Sequence, residues 1–185
     1  MINKTSPAAG AAVATPASHL ALAAREAALI VLGTAALALI GQVSLPLPFT
    51  PVPVTLGSLA ALGVGAVLGS RRGIASSLLL AGLAAVGAPV LAGWSGGVTA
   101  SFGYVLGYAL AAGLAGRVAR SDAGLPVRFA LMLIASSSVF VPGVIWLKIA
   151  LGVGWGKAVA LGLTPFIIGD VLKSAFMTVV TAKRR

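Results

Sequence analysis

Ala24-Arg-Glu-Ala-Ala-Leu-Ile-Val-Leu-Gly-Thr-Ala-Ala-Leu-Ala-Leu-Ile-Gly-Gln-Val43 opens with an Arg25–Glu26 pair and then carries no charge. A helix needs about 20 mostly apolar residues to cross the hydrocarbon of a bilayer, and this run has that length. It predicts a membrane-spanning helix over 24–43. Met1 to about Ala23, rich in Ala, Pro, Ser and Thr, reads as a mobile tail and not as a secretory signal.

The same ruler moves along the chain. Ser44-Leu-Pro-Leu-Pro-Phe-Thr-Pro-Val-Pro53 excludes regular helix, because its prolines lack amide donors and push the residues before them to extended geometry. A second span follows over 54–68, ended by Gly69-Ser-Arg-Arg-Gly73, and a third over 74–91. Ala92-Gly-Trp-Ser-Gly-Gly-Val-Thr-Ala-Ser101 is a loop without a charge. The fourth span covers 102–118, the fifth 127–151 with Pro142 as its expected kink. Thr164-Pro165 has the form of a helix start, a hydroxyl cap before proline at the first helical position. The sixth span is therefore expected over 165–182, after a loop over 152–163 that can hold a short helix. The fold class this predicts is all-α, a polytopic membrane protein with six transmembrane helices, in a domain covering residues 24–185.

Composition agrees. Of 185 residues 59% are hydrophobic and 9% charged, with mean hydropathy +1.08. A soluble domain carries about 25% charged residues to face water. The net charge of +10 is read through the positive-inside rule. Lys4, Arg25, Arg71, Arg72, Arg117, Arg120, Arg128, Lys183, Arg184 and Arg185 fall on one side of the six spans, and only Lys148 and Lys157 on the other. Both termini are thus expected in the cytoplasm. Nucleic-acid binding is disfavoured, since the basic residues are split among short loops.

Chemistry narrows next. With no cysteine there is no thiolate catalysis and no thiolate metal site. His19 lies in the tail, Glu26 reads as the interfacial partner of Arg25, and no phosphate-cradling Gly-x-x-x-x-Gly-Lys occurs. Asp170 and Lys173 stand out, because an ionisable residue inside a span costs about 2.5–3.5 kcal/mol on insertion scales. At i, i+3 they share a helix face and can neutralise each other. A ligand with a carboxylate and polar N–H groups would also suit both. The two charge-free loops admit two readings, packed connectors or a lid built from Phe49, Thr50 and Val52 and from Trp94, Ser95 and Tyr104. Gly65/Gly69, Gly103/Gly107 and the pairs Ala23/Ala27 and Ala24/Ala28 have the spacing of close helix contacts.

Pro48-Phe-Thr-Pro-Val-Pro-Val-Thr55, Leu68-Gly-Ser-Arg-Arg-Gly73, Gly93-Trp-Ser-Gly-Gly97 and Pro165-Phe-Ile-Ile-Gly-Asp-Val-Leu-Lys173 together resemble the BioY family, biotin-binding S components of energy-coupling-factor transporters. The likeness runs from about Arg25 to the C-terminus, departing from the family's Gly-Pro-containing form around Val98–Ser101. It implies a six-helix protein of the cytoplasmic membrane that is not an enzyme and needs no cofactor. It implies capture of biotin in an outward-facing pocket capped by the loops after the first and third helices, with Gly96 among the contacts. It further implies a transmembrane coupling protein and two cytoplasmic ATPases as partners. The family's Asp-x-x-Lys pattern falls on Asp170 and Lys173, and its first-helix Ala-x-x-x-Ala strip on Ala24 and Ala28. Lys173 is then expected to bind the carboxylate and Asp170 the ureido group, or the reverse through water. An S component for another vitamin and a stand-alone secondary carrier are the competing readings.

Overall fold

The structure, a computed structural model, describes residues 16–183. It is a bundle of eight helices, α1 (Pro16–Gly41), α2 (Gly57–Leu68), α3 (Ser70–Ala85), α4 (Phe102–Val118), α5 (Leu125–Ser137), α6 (Phe140–Leu151), α7 (Trp155–Gly162) and α8 (Ile167–Ala182). They make six spans: α5 and α6 are two halves of the fifth, and α7 leads through a 3-10 turn at Thr164–Phe166 into α8, the sixth. His19–Gly41, Leu125–Leu151 and Trp155–Ala182 are each long and apolar enough to cross a membrane. Large apolar side chains such as Leu39, Ile134, Ile149, Ile168 and Leu172 point outward. In lipid that is the stable arrangement, since each helix closes its own backbone hydrogen bonds.

Several boundaries differ from expectation, each for a local reason. α1 begins at Pro16, so the stretch read as the end of a mobile tail is its first two turns. Alanine and leucine dominate there, and alanine is the best helix former of all. The part of the expected tail before Pro16, with Lys4, lies outside the described residues, as do Arg184 and Arg185. Val54–Thr55 is not helical but pairs antiparallel with Ser44–Leu45, in register Ser44↔Thr55 and Leu45↔Val54. These two short strands, β1 (Ser44–Leu45) and β2 (Val54–Thr55), close the proline-rich loop at its base and delay α2 to Gly57.

The expected five-residue stop between the second and third spans shrinks to Gly69 alone, at φ +91° and ψ 165°. That conformation is open essentially only to glycine, so Arg71 and Arg72 lie within α3. α3 ends at Ala85, earlier than expected, where Gly87 turns at φ +91° and Pro89 follows without an amide. The fifth span breaks one turn before Pro142, between Ser137 and Phe140, where the proline ring crowds the carbonyl of residue 138. Thr164 does not cap the sixth span; its hydroxyl donates backward to the Val159 carbonyl (3.4 Å).

Glu26 also chooses differently. Its carboxylate pairs with Arg72, at 2.7 Å to Nε and 2.6 Å to Nη2, and not with Arg25. Neighbours in sequence diverge around a helix, so i and i+1 do not face each other.

α4 is the central helix, packed against α2, α3, α5 and α6. Small residues let backbones touch. A Cβ on Gly65 would overlap the Ala112 carbonyl, one on Gly103 would overlap Trp146 and Pro142, and one on Gly107 would meet Val139 at 2.8 Å. Close packing is what their spacing predicted.

Candidate functional site

Where α1 ends and α2, α4 and α8 begin, the helices diverge around a cavity of about 290 Å³. Its size sits at the lower edge of small-molecule pockets, which span about 300–1,000 Å³. Leu37, Leu80, Val105 and Phe140 supply apolar wall, while Ser58, Tyr108, Ser136, Asp170 and Lys173 supply polar groups.

α8 presents Asp170 and Lys173 to this space by the i, i+3 spacing, yet they do not form an ion pair within 4.0 Å. Each has found other partners. Asp170, 6% exposed, accepts hydrogen bonds from the hydroxyls of Ser136 and, at 2.7 Å, Ser137 on α5. Lys173 donates to the Thr55 carbonyl (2.7 Å) and the Ser58 hydroxyl (2.9 Å) on the opposite side. Both charges are thereby held apart at the wall, and charge-assisted hydrogen bonds offset part of the cost of burying each. The self-neutralised pair does not form. Ser136, Ser137, Ser58 and Tyr108 escaped the sequence reading, although Ser136-Ser-Ser138 interrupts an otherwise apolar span and was a usable signal.

The loop residues divide. Val52, Ser95 and Tyr104 line the cavity; Phe49, Thr50, Trp94 and Gly96 do not. Phe49 and Trp94 are 59% and 58% exposed. Thr50 is buried and donates to the Leu161 carbonyl (2.9 Å), pinning the first loop to α7. Gly96 packs against the Gly87 and Ala88 carbonyls, where a Cβ would lie 2.5 Å from each, and so seats its neighbour Ser95. Tyr104 is buried, its hydroxyl donating to the Gly162 carbonyl (2.8 Å) and its ring edge-on to Phe140. Gln42, also unforeseen, fastens the second loop to α1. Its amide donates to the Leu91 carbonyl (3.0 Å) and its oxygen accepts from the Trp94 amide (3.0 Å). The loops are therefore anchored coverings of the cavity, with only part of each touching it. Ala24 and Ala28 lie far from it, exposed on the first half of α1.

A sequence model of the BioY family matches residues 11–185. The chain belongs to the BioY family. Among its relatives, a probable biotin transporter BioY of Pyrococcus horikoshii is 34% identical over 160 residues, covering 86% of this chain and 96% of that one. The biotin transporter BioY of Rhizobium etli is 34% identical over 168 residues, covering 84% and 86%. BioY2 of Lactococcus lactis, also a biotin transporter, is 31% identical over 157 residues, covering 82% and 85%. In three dimensions the chain is similar to the crystal structure of an S-component for biotin from an ECF-type ABC transporter. The TM-score is 0.74 over 92% of this chain and 94% of that one, at 23% identity, so the likeness is one of fold.

Proposed function

We propose that this BioY chain captures biotin in the cavity beside Asp170 and Lys173 and delivers it as the substrate-specific S component of an energy-coupling-factor transporter. The observation that carries the reading is the split pair: one cation and one anion at the wall of one cavity, each partnered separately. Biotin has a carboxylate at one end, ureido N–H groups at the other and an apolar ring and chain between. Lys173 receives the carboxylate, exchanging one of its present partners for a charge-assisted bond, and Asp170 accepts from the ureido N–H. The aliphatic and aromatic wall takes the ring and chain. Val52, Ser95 and Tyr104 contact the ligand, and Thr50, Gly96 and the Trp94 backbone amide hold the covering loops in position.

The cavity end is the outer one. Arg71, Arg72, Arg117 and Arg120 cluster at the other end, as a protein with cytoplasmic termini in a cytoplasmic membrane requires. The names of the relatives support biotin as the ligand. A transmembrane coupling protein, seated on the exposed Ala24–Ala28 strip, and two ATPases would supply the driving force.

Radiolabelled biotin binding to the purified chain, with thiamine and riboflavin as competitors, tests the substrate. Tight binding displaced by neither competitor is expected. Preference for another vitamin, or no binding by folded protein, would remove biotin. Uptake that follows an ion gradient in the absence of ATPase subunits would remove the S-component role.

A further inference from the structure

At the end of the bundle away from the biotin cavity lies a second hollow, an open groove of about 740 Å³ between the α2–α3 connector and the end of α4. The two are separated along α4 by the run from Tyr108 to Gly116, about 12 Å of helix. Arg71, Arg72, Arg117 and Arg120 line the groove, and Glu26 is its only carboxylate. Arg71 and Arg72 in the first turn of α3 are distant in sequence from Arg117 and Arg120 around the end of α4, and the close contact of α3 and α4 brings them together.

The charges are not balanced from within. Glu26 is already held by both arms of Arg72. Arg120 donates to the Gly116 carbonyl (3.0 Å) and lies over Gly69, where its guanidinium would meet a Cβ. Arg71 and Arg117 are exposed, and among the described residues neither makes an ion pair. The chain has 13 Lys and Arg against three Asp and Glu. Of those three, Asp170 faces the other cavity and Asp122 does not line the groove. Among the described residues, no carboxylate besides Glu26 lines the groove to balance Arg71, Arg117 and Arg120. Its surroundings favour an amphiphile over a soluble ion: Leu78, two turns beyond Arg71 on the same face of α3, and Leu110, two turns before Arg117 on the same face of α4, are exposed apolar side chains at 52% and 48%. A guanidinium cluster below an apolar helix surface suits a phosphate headgroup with its acyl chains lying along the bundle.

We propose that this groove binds the phosphate of an acidic phospholipid from the leaflet on that side. Arg71, Arg117 and Arg120 carry the interaction, and Arg72 is retained by Glu26. The site does not depend on the identity of the vitamin.

The test uses the purified full-length chain, stripped of lipid, and native mass spectrometry with three probes: dioctanoyl phosphatidylglycerol, dioctanoyl phosphatidylcholine and inorganic phosphate. Phosphatidylglycerol should bind in preference to phosphatidylcholine, and R71Q/R117Q/R120Q should weaken it about 100-fold. Helix content and monodisperse elution show that the variant folds; if it does not, R71Q and R117Q singly should each weaken binding about fivefold. K148Q/K157Q, at the opposite end, should leave the preference unchanged. Equal binding of the two lipids, or a preference that survives all three substitutions, overturns the proposal. Inorganic phosphate that binds in place of the lipid keeps a phosphate site but overturns its lipid source.

Discussion

Asp170 and Lys173 are three residues apart on one helix, yet their partners lie on other elements, α5 for Asp170 and β2 with the start of α2 for Lys173. A carboxylate facing two hydroxyl donors and an ammonium facing a carbonyl and a hydroxyl are each already satisfied, so neither has to collapse onto the other. Asp170→Asn puts an amide N–H₂ against donors and removes the charge. Biotin affinity should fall about 10- to 100-fold, the worth of a hydrogen bond to a charged group, as read by equilibrium radioligand binding. Lys173→Ala should lose a similar amount. Unchanged affinity in both variants would sink the assignment of these residues to the ligand. Ser136→Ala with Ser137→Ala leaves the Asp170 carboxylate buried without either donor, so it should lower unfolding free energy by about 1–3 kcal/mol. Thermal unfolding in detergent is the check, and an unchanged midpoint would mean that water replaces the serines.

At the scale of elements, connectors carry more of the specificity than the helices they join. Gly69 makes a one-residue junction between α2 and α3 in a conformation that other residues reach only under strain. Gly69→Ala should cost about 1–3 kcal/mol and push against Arg120, seen as a lower unfolding midpoint. A midpoint equal to the parent's would show that the junction relaxes. The first covering loop is tied at its tip by Thr50 to the Leu161 carbonyl and at its base by the β1–β2 pair. Thr50→Val keeps the side chain's volume but deletes the tether. The expected result is faster biotin release with little change in association, since interface substitutions act mostly on dissociation; stopped-flow exchange would reveal it. An unaltered release rate would mean that this tether does not hold the loop closed.

For the whole molecule, the cavity, the basic groove and the Ala24–Ala28 strip occupy separate surfaces, so binding and energised transport should be separable by mutation. Ala24 and Ala28 are exposed on α1, and Ala24→Trp with Ala28→Trp should leave biotin affinity within about twofold. ATP-dependent uptake by proteoliposomes with the coupling protein and ATPases should be lost, because a bulky residue blocks close approach of a partner helix. Uptake at the parent's rate would place the coupling surface elsewhere.

The six spans, the two irregular loops and the asymmetry of charge were legible in the chain from Ala24 onward. In lipid each helix satisfies its own backbone, so its existence depends on its own run of apolar residues and little on its neighbours. Asp170 and Lys173 were legible for the same reason, as ionisable groups placed where solvent is lacking. What they bond to was not. That Asp170 turns to Ser136 and Ser137, that Arg72 takes Glu26 from Arg25, and that four arginines meet in one groove depend on the rotation and depth of helices against one another. Those are set jointly by many contacts between small residues such as Gly65, Gly103 and Gly107, and no single stretch of sequence contains them.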